Sequence, residues 1–320
     1  MISTVVGSYP VIFNKNSLSF KNKLSNIFSN DSYKSAIKYA VESQLNAGID
    51  IISDGQVRGD MVDLFLSKIP GFIKQENTYI IKSKIQRPNS SIVANDLKIA
   101  IKFLKNYFKE FNNEYGYDLS KKGVKGLITG PSTLIQSSKL TNIYKNKDLA
   151  ILDLARVLSF EAKSLEKAGA KLIQIDEPFL STGLLDMNIA KQAIAIISKD
   201  LKIPISIHCC GDIKNIFSDL ADFDVDIIDC EFAGHPSNME TLEKYSHKLI
   251  NKKIGLGVVD TKKSIVDSVD EIAKIISRGI DIMGTDNLFI DPDCGMRLLD
   301  EKIAFNKLKN MVEAMNSFIS

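Results

Sequence analysis

The 320-residue chain has no tryptophan, three histidines and four cysteines. It holds no apolar run long enough for the roughly 20 residues a membrane-spanning helix needs, which excludes an integral helical membrane protein. The opening stretch from Met1 to Pro10 lacks a basic segment followed by an apolar one, so no secretory leader is expected and a cytoplasmic location is. The formal net charge is only +2, with lysines scattered rather than blocked, which argues against a nucleic-acid surface. Four cysteines in a long, cytosolic-looking chain point to metal ligands or core residues, not to a disulfide framework.

What the chain does have is alternation. Apolar, β-rich runs at 3–6, 49–53, 124–129, 171–175, 203–207, 225–229, 253–259 and 287–290 predict strands. Between them, helical periodicity covers 33–47, 91–111, 148–168, 187–199, 239–247, 269–277 and 299–318. Eight strands alternating with helices predict an α/β fold, a single (β/α)8 TIM barrel. No domain boundary interrupts 1–320, and the length is enough for one such core. Residues 78–86 read as an inserted β-hairpin arm, and a polar Asn- and Lys-rich link precedes Tyr33.

In such a barrel the reactive face lies at the C-terminal ends of the strands. The fifth strand ends in Ile207-His208-Cys209-Cys210-Gly211. Residues two apart on a strand share a face, so His208 and Cys210 point together and Cys209 points away. Two further strand ends, Asp229-Cys230-Glu231-Phe232 and Asp291-Pro292-Asp293-Cys294-Gly295, supply more donors. Together they predict a zinc site of His208, Cys210, Glu231 and Cys294, built to activate a thiol.

Ser8, Asp54, Asp176, Glu177 and Asp260 also fall at strand ends. Each taken alone has a plainer account. A cysteine in an apolar run is more often a small buried apolar residue, and Cys209 and Cys230 are assigned to the core on that ground. His235 and His247 read as loop and helix-surface residues. Asp176 and Glu177, just before Pro178, have the alternative of capping the helix that follows. Glu231 after an apolar run is costly unless paired or metal-bound. What favours a site is that so many of these residues meet at one mouth.

Several motifs carry a resemblance. They are Val6-Gly7-Ser8-Tyr9-Pro10, Ser53-Asp54-Gly55-Gln56-Val57-Arg58-Gly59-Asp60-Met61-Val62, and Gly126-Leu127-Ile128-Thr129-Gly130-Pro131. The series continues with Ile173-Gln174-Ile175-Asp176-Glu177-Pro178, His208-Cys209-Cys210, Glu231-Phe232-Ala233 and Pro292-Asp293-Cys294-Gly295. In this order they resemble the cobalamin-independent methionine synthase family, above all its short archaeal members that keep only the catalytic C-terminal half. The resemblance implies a methyltransferase of methionine biosynthesis, with L-homocysteine as the thiol substrate. It implies zinc on His208, Cys210, Glu231 and Cys294, the set already reached from spacing. It further implies that Ser8, with the Val6 and Gly7 backbone, meets the homocysteine carboxylate, and that Asp176 holds its ammonium.

Three departures from the family narrow the expectation. The N-terminal half of the long enzyme has no counterpart, and neither has the tryptophan that faces its folate. In Gly257-Val258-Val259-Asp260-Thr261-Lys262, Lys262 stands where the family has a histidine acid. Gln56 lies near the place of a family glutamate, and Thr182 at that of the folate-side one. A methyl on folate N5 leaves behind a poor amine leaving group and needs a proton, whereas a methyl on corrinoid cobalt leaves cob(I)alamin and needs none. A methylated corrinoid, as methylcobalamin or a corrinoid protein, is therefore the expected donor. A methylcobamide:coenzyme M-type thiol methyltransferase is the alternative. A non-catalytic module with structural zinc is a remote one, since closed structural sites are built from Cys and His rather than Glu.

Overall fold

The computed structural model describes residues 1–13, 31–115 and 119–319. Most of the polar link predicted before Tyr33 lies outside them. The strands are β1 (Ile2–Ser3), β2 (Ile51–Ile52), β3 (Phe72–Gln75), β4 (Thr78–Ile81), β5 (Gly123–Val124), β6 (Gly126–Thr129), β7 (Ser138–Lys139), β8 (Ile173–Asp176), β9 (Ile205–Cys209), β10 (Ile227–Glu231), β11 (Lys253–Gly257) and β12 (Leu288–Asp291).

Seven of them form a parallel sheet in the order β1-β12-β11-β10-β9-β8-β6. The ring is carried on by a parallel bridge from Thr4 to Ile51 and by the β2–β5 pair. Only Lys125 separates β5 from β6, so the two act as one interrupted stave. Eight staves thus circle the axis, and the TIM-barrel expectation holds. β1, β2, β8 and β11 are shorter than the apolar runs that announced them, while β9, β10 and β12 keep the length of theirs and start one or two residues later.

The helices are α1 (Tyr33–Asn46), α2 (Met61–Leu66), α3 (Ala94–Tyr115), α4 (Pro131–Gln136), α5 (Lys147–Ala168), α6 (Met187–Ser198), α7 (Phe217–Leu220), α8 (Asn238–Tyr245), α9 (Val269–Met283) and α10 (Glu301–Asn316). Their ends follow local chemistry. Asn146 caps α5 by accepting from the Leu149 N–H, and Gly169 ends it at φ 99°. Ser268 and Glu271 form a capping box on α9. Among the described residues no helix is long and apolar enough to cross a membrane.

All five residues of β9 and of β10 are buried, as expected of parallel strands covered on both faces. Cys209 and Cys230 sit within the apolar core, as the sequence assigned them. The hairpin is present but earlier than expected. β3 and β4 pair antiparallel from Phe72 to Ile81, so 82–86 lies beyond its strands. β4 also pairs in parallel with β7.

Candidate metal centre and the mouth above it

The end of β9 places His208 inward, beside Asp229 of β10 in the adjoining register position. Asp229 Oδ1 lies 3.0 Å from His208 Nδ1. With Nδ1 engaged, Nε2 is the nitrogen left over; it is buried and has no hydrogen-bond partner among the described residues. His208, Cys210 and Cys294 bring one donor atom each to within 4.8 Å of one another. The three come from the ends of two staves, β9 and β12.

The electrostatics of this trio are unusual. Burial works against a charged imidazole, but the Asp229 carboxylate and the two sulfurs outweigh it and push His208 well above its ordinary value. The hydrogen bond from Cys210 pulls the Cys294 thiol far down against the effect of burial, with His208 assisting. The same bond, together with burial, pushes Cys210 up. The pocket therefore favours positive charge beside sulfur anion. An unpartnered imidazole nitrogen, two sulfurs and a carboxylate on the far ring nitrogen are the donor set that suits a soft divalent ion such as zinc.

Glu231 stands apart from the trio. Its Oε2 lies 2.9 Å from Lys262 Nζ and 3.3 Å from His235 Nε2. The carboxylate is buried, and these are the two side chains that meet it. Its backbone is pinned as well. Asn238 Nδ2 donates to its carbonyl at 2.7 Å, and the next three N–H groups, of Phe232, Ala233 and Gly234, all donate to the Asp293 carboxylate.

Above the trio opens a cavity of about 610 Å³, lined among others by Ser8, Asp176, His208, Cys210, Lys262 and Cys294. Ser8 is held hard against the Cys294 loop. The Met296 N–H donates to the Ser8 carbonyl at 2.8 Å, and a Cβ on Gly295 would come within 2.2 Å of Ser8 Oγ. Glycine leaves the serine hydroxyl room to stand where it does. The Gly7 carbonyl is turned to the Ser53 hydroxyl at 2.5 Å, which turns the N–H of the same trans peptide, that of Ser8, the other way. Val6 gives its carbonyl to Gln174 Nε2 at 2.7 Å.

Asp176 is neighboured by His208 across the β8–β9 register and accepts from Gln174 Nε2 at 2.7 Å. Burial raises it to about 6, against the pull of His208 and Gln174. Gln56 also lines the cavity, with a left-handed backbone at φ 44° and a buried Nε2 that has no partner among the described residues. Thr182 is exposed on the turn after β8, where its hydroxyl donates to the Phe179 carbonyl.

The other strand-end acids hold loops. Glu177 accepts from the N–H groups of Ser132 and Thr133 and from the Thr133 hydroxyl, so it caps α4 rather than the helix that follows it. Asp54 accepts from the Gln56 N–H, and Asp260 from the Lys262 N–H.

Sequence reasoning missed Asp229, His235 and Asp293. Asp229 was within reach, because it shares a strand face with Glu231 at a spacing of two. The contact of His235 with Glu231 depends on a loop turn that no periodicity announces. Gln174 and Lys125 were missed too. Lys125 Nζ donates to Gln174 Oε1 at 2.6 Å inside the barrel.

Comparison with known proteins gives a consistent picture. The family model described as cobalamin-independent synthase, catalytic domain, matches residues 1–317. The methionine synthase of Methanothermobacter thermautotrophicus is 50% identical over 317 residues, covering 98% of this chain and 99% of that one. The methionine synthase of Methanocaldococcus jannaschii is 42% identical over 326 residues, covering 98% of each. Among solved structures, a B12-independent methionine synthase from Shewanella sp. W3-18-1 in complex with selenomethionine superposes with a TM-score of 0.76 at 20% identity, over 99% of this chain and 97% of that one. A methyltransferase from Methanosarcina mazei superposes with a TM-score of 0.64 at 14% identity, over 100% of this chain and 94% of that one. At such identities the two superpositions speak for the fold.

Proposed function

The chain belongs to the family of cobalamin-independent synthase catalytic domains and is a methyltransferase of the methionine synthase kind, and from that premise we propose that it methylates the thiol of L-homocysteine at a zinc centre, with a methylated corrinoid as donor. The observation that carries this reading is the His208, Cys210 and Cys294 trio at the floor of a cavity that Ser8 and Asp176 also line.

His208 Nε2, the sulfurs of Cys210 and Cys294, and the Glu231 carboxylate are the residues that would hold zinc. Zinc there would lower the pKa of the substrate thiol, which is near ~8.5 when free, so that the sulfur reacts as thiolate. Asp229 keeps the imidazole turned toward the mouth. The Ser8 N–H and hydroxyl suit the substrate carboxylate. Asp176, fixed by Gln174, suits its ammonium. Two anchors at one end of a short substrate fix where its sulfur comes to lie, and orientation of this kind lowers the barrier. The thiolate attacks the methyl carbon in line. One S–C bond forms, the bond from methyl to donor breaks, and its electron pair stays with the donor.

A corrinoid donor is supported by Lys262 in the place of the family acid, since cob(I)alamin leaves without a proton. Lys262 is moreover engaged with Glu231. Against a coenzyme M acceptor stands Asp176, because a sulfonate thiol has no ammonium to meet it.

Purified protein loaded with zinc should form methionine from homocysteine with methylcobalamin and not with methylfolate, and should leave coenzyme M unmethylated. His208→Ala and Cys294→Ser should each lose zinc and activity while keeping the folded barrel. Full zinc retention in either variant would remove the basis of the assignment.

A further inference from the structure

We propose that Lys262 is a positioning residue, the counter-cation that takes the Glu231 carboxylate off the metal and so opens a place for the substrate sulfur. This rests on the zinc reading above and adds a moving part to it.

The Glu231 backbone cannot move far. It closes β10 in register with Gly257, Asn238 holds its carbonyl, and Asp293 gathers the N–H groups of the next three residues. Only the side chain is free to turn. The side chain is 1% exposed, and a buried carboxylate without a cation is strongly disfavoured. One positive partner is the Lys262 ammonium, 2.9 Å away, and an ion held by the His208, Cys210 and Cys294 trio would be a second.

The lysine is placed for this as deliberately as the glutamate. Its N–H donates to Asp260 Oδ1 at 2.9 Å, and the Asp260 carbonyl is held by the fully buried Lys307 ammonium, also at 2.9 Å. The Lys262 side chain is 60% exposed, and it lines the same cavity as the trio. His235 adds a second contact at 3.3 Å. The carboxylate is thus paired with Lys262 in this structure, and an ion at the trio would give it a second paired position. An incoming thiolate supplies the negative charge that Glu231 withdraws from the trio, and Lys262 neutralises the charge that leaves. A site with only the position on the ion would hold Glu231 against the substrate.

The test is cobalt substitution, which gives an optical signal from the ligand set. Wild type, Lys262→Met, Lys262→Arg, Glu231→Ala and the Glu231→Ala/Lys262→Met double variant are loaded with Co²⁺. Each is titrated with homocysteine while the visible ligand-field bands are followed. Metal retention is measured separately against a chelator.

Lys262→Met should hold the metal about tenfold more tightly and need about tenfold more homocysteine to reach the sulfur-bound spectrum, since both reflect one shifted equilibrium. Lys262→Arg should stay near wild type. On the Glu231→Ala background the methionine substitution should change neither quantity. Wild-type behaviour of Lys262→Met in both measurements would overturn the proposal, and so would an effect of equal size without Glu231. If wild type takes up no Co²⁺, or its spectrum ignores homocysteine, the metal-site reading falls and this inference with it. A metal site lost on His208→Ala but indifferent to Lys262→Met sinks the inference alone.

Discussion

His208 is aimed by a single carboxylate. Asp229 Oδ1 sits 3.0 Å from Nδ1 and fixes which nitrogen faces the sulfurs. Asp229→Asn should therefore weaken zinc binding by about 10- to 100-fold, the usual cost of losing an outer partner of a metal ligand. Competition with a chromophoric chelator measures this, and an unchanged affinity would show the ring to be oriented by its packing alone. A second single-residue prediction concerns Gly295. Its alanine variant would drive a methyl into Ser8 Oγ, which must then shift. KM for homocysteine should rise while zinc content stays at wild type; loss of zinc together with binding would mean that the Cys294 loop had moved instead. At this scale the sequence was informative where one strand suffices. The two-residue period put His208 and Cys210 on one face. It could not put Asp229 opposite His208, because that pairing depends on the register between two strands, which the barrel as a whole decides.

The loops between strands and helices are held by buried carboxylates, and Glu177 shows what this implies for pH. It is fully buried and caps α4 from the end of β8, with three donors on its oxygens. Burial nonetheless wins and raises it from 4.5 to about 6. The folded protein thus holds this proton more tightly than the unfolded chain does. Between pH 4.5 and 6 the folded state binds more protons, so stability falls as pH rises through that window and stays lower above it. The shift corresponds to about 2 kcal/mol. Urea unfolding at a series of pH values should show this fall in wild type relative to Glu177→Gln, which carries no titrating group there. Parallel curves for the two proteins would show that the three donors offset burial completely. Nothing in Asp176-Glu177-Pro178 told which helix the glutamate would cap. The sequence pointed forward along the chain, while the barrel turned the side chain sideways, to the loop of the preceding stave. The short α4 was missed for the same reason: Gly130-Pro131 reads as a stop, and the cap that lets a helix start there comes from 45 residues further on.

At the scale of the whole molecule the alternation of apolar runs and helical periods was enough to give the barrel, because each run is buried on both faces and leaves an unmistakable hydrophobic signature. What it hid is that the barrel interior is polar. Lys125 interrupts the third stave and lies inside the 124–129 run, where the sequence alone assigned it no role. Closure of the ring turns it inward, where its ammonium meets Gln174 Oε1 at 2.6 Å and faces the charges of Asp229, Asp291 and Asp176. Burial pulls this lysine down, and burial together with the charge of Asp229 pushes Asp291 well up. Among the described residues neither oxygen of Asp291 has a hydrogen-bond partner. The carboxylate that aims His208 and the one that faces the cavity thus share Lys125 as a counter-charge beside His208. Lys125→Met keeps the bulk and removes the charge, so several buried carboxylates would share a site with only His208 left to oppose them. Removal of one partner from a buried charge set costs about 3–5 kcal/mol. The urea midpoint of Lys125→Met should fall accordingly, and the loss should shrink as pH is lowered and the carboxylates take up protons. Asp291→Asn added to Lys125→Met should restore part of the stability, because it removes one of the repelling charges. If Lys125→Met loses less than about 1 kcal/mol at neutral pH, the net worth of an ordinary hydrogen bond, then Asp291 already carries its proton in the native state. The interior would in that case be held by shared protons rather than by the lysine.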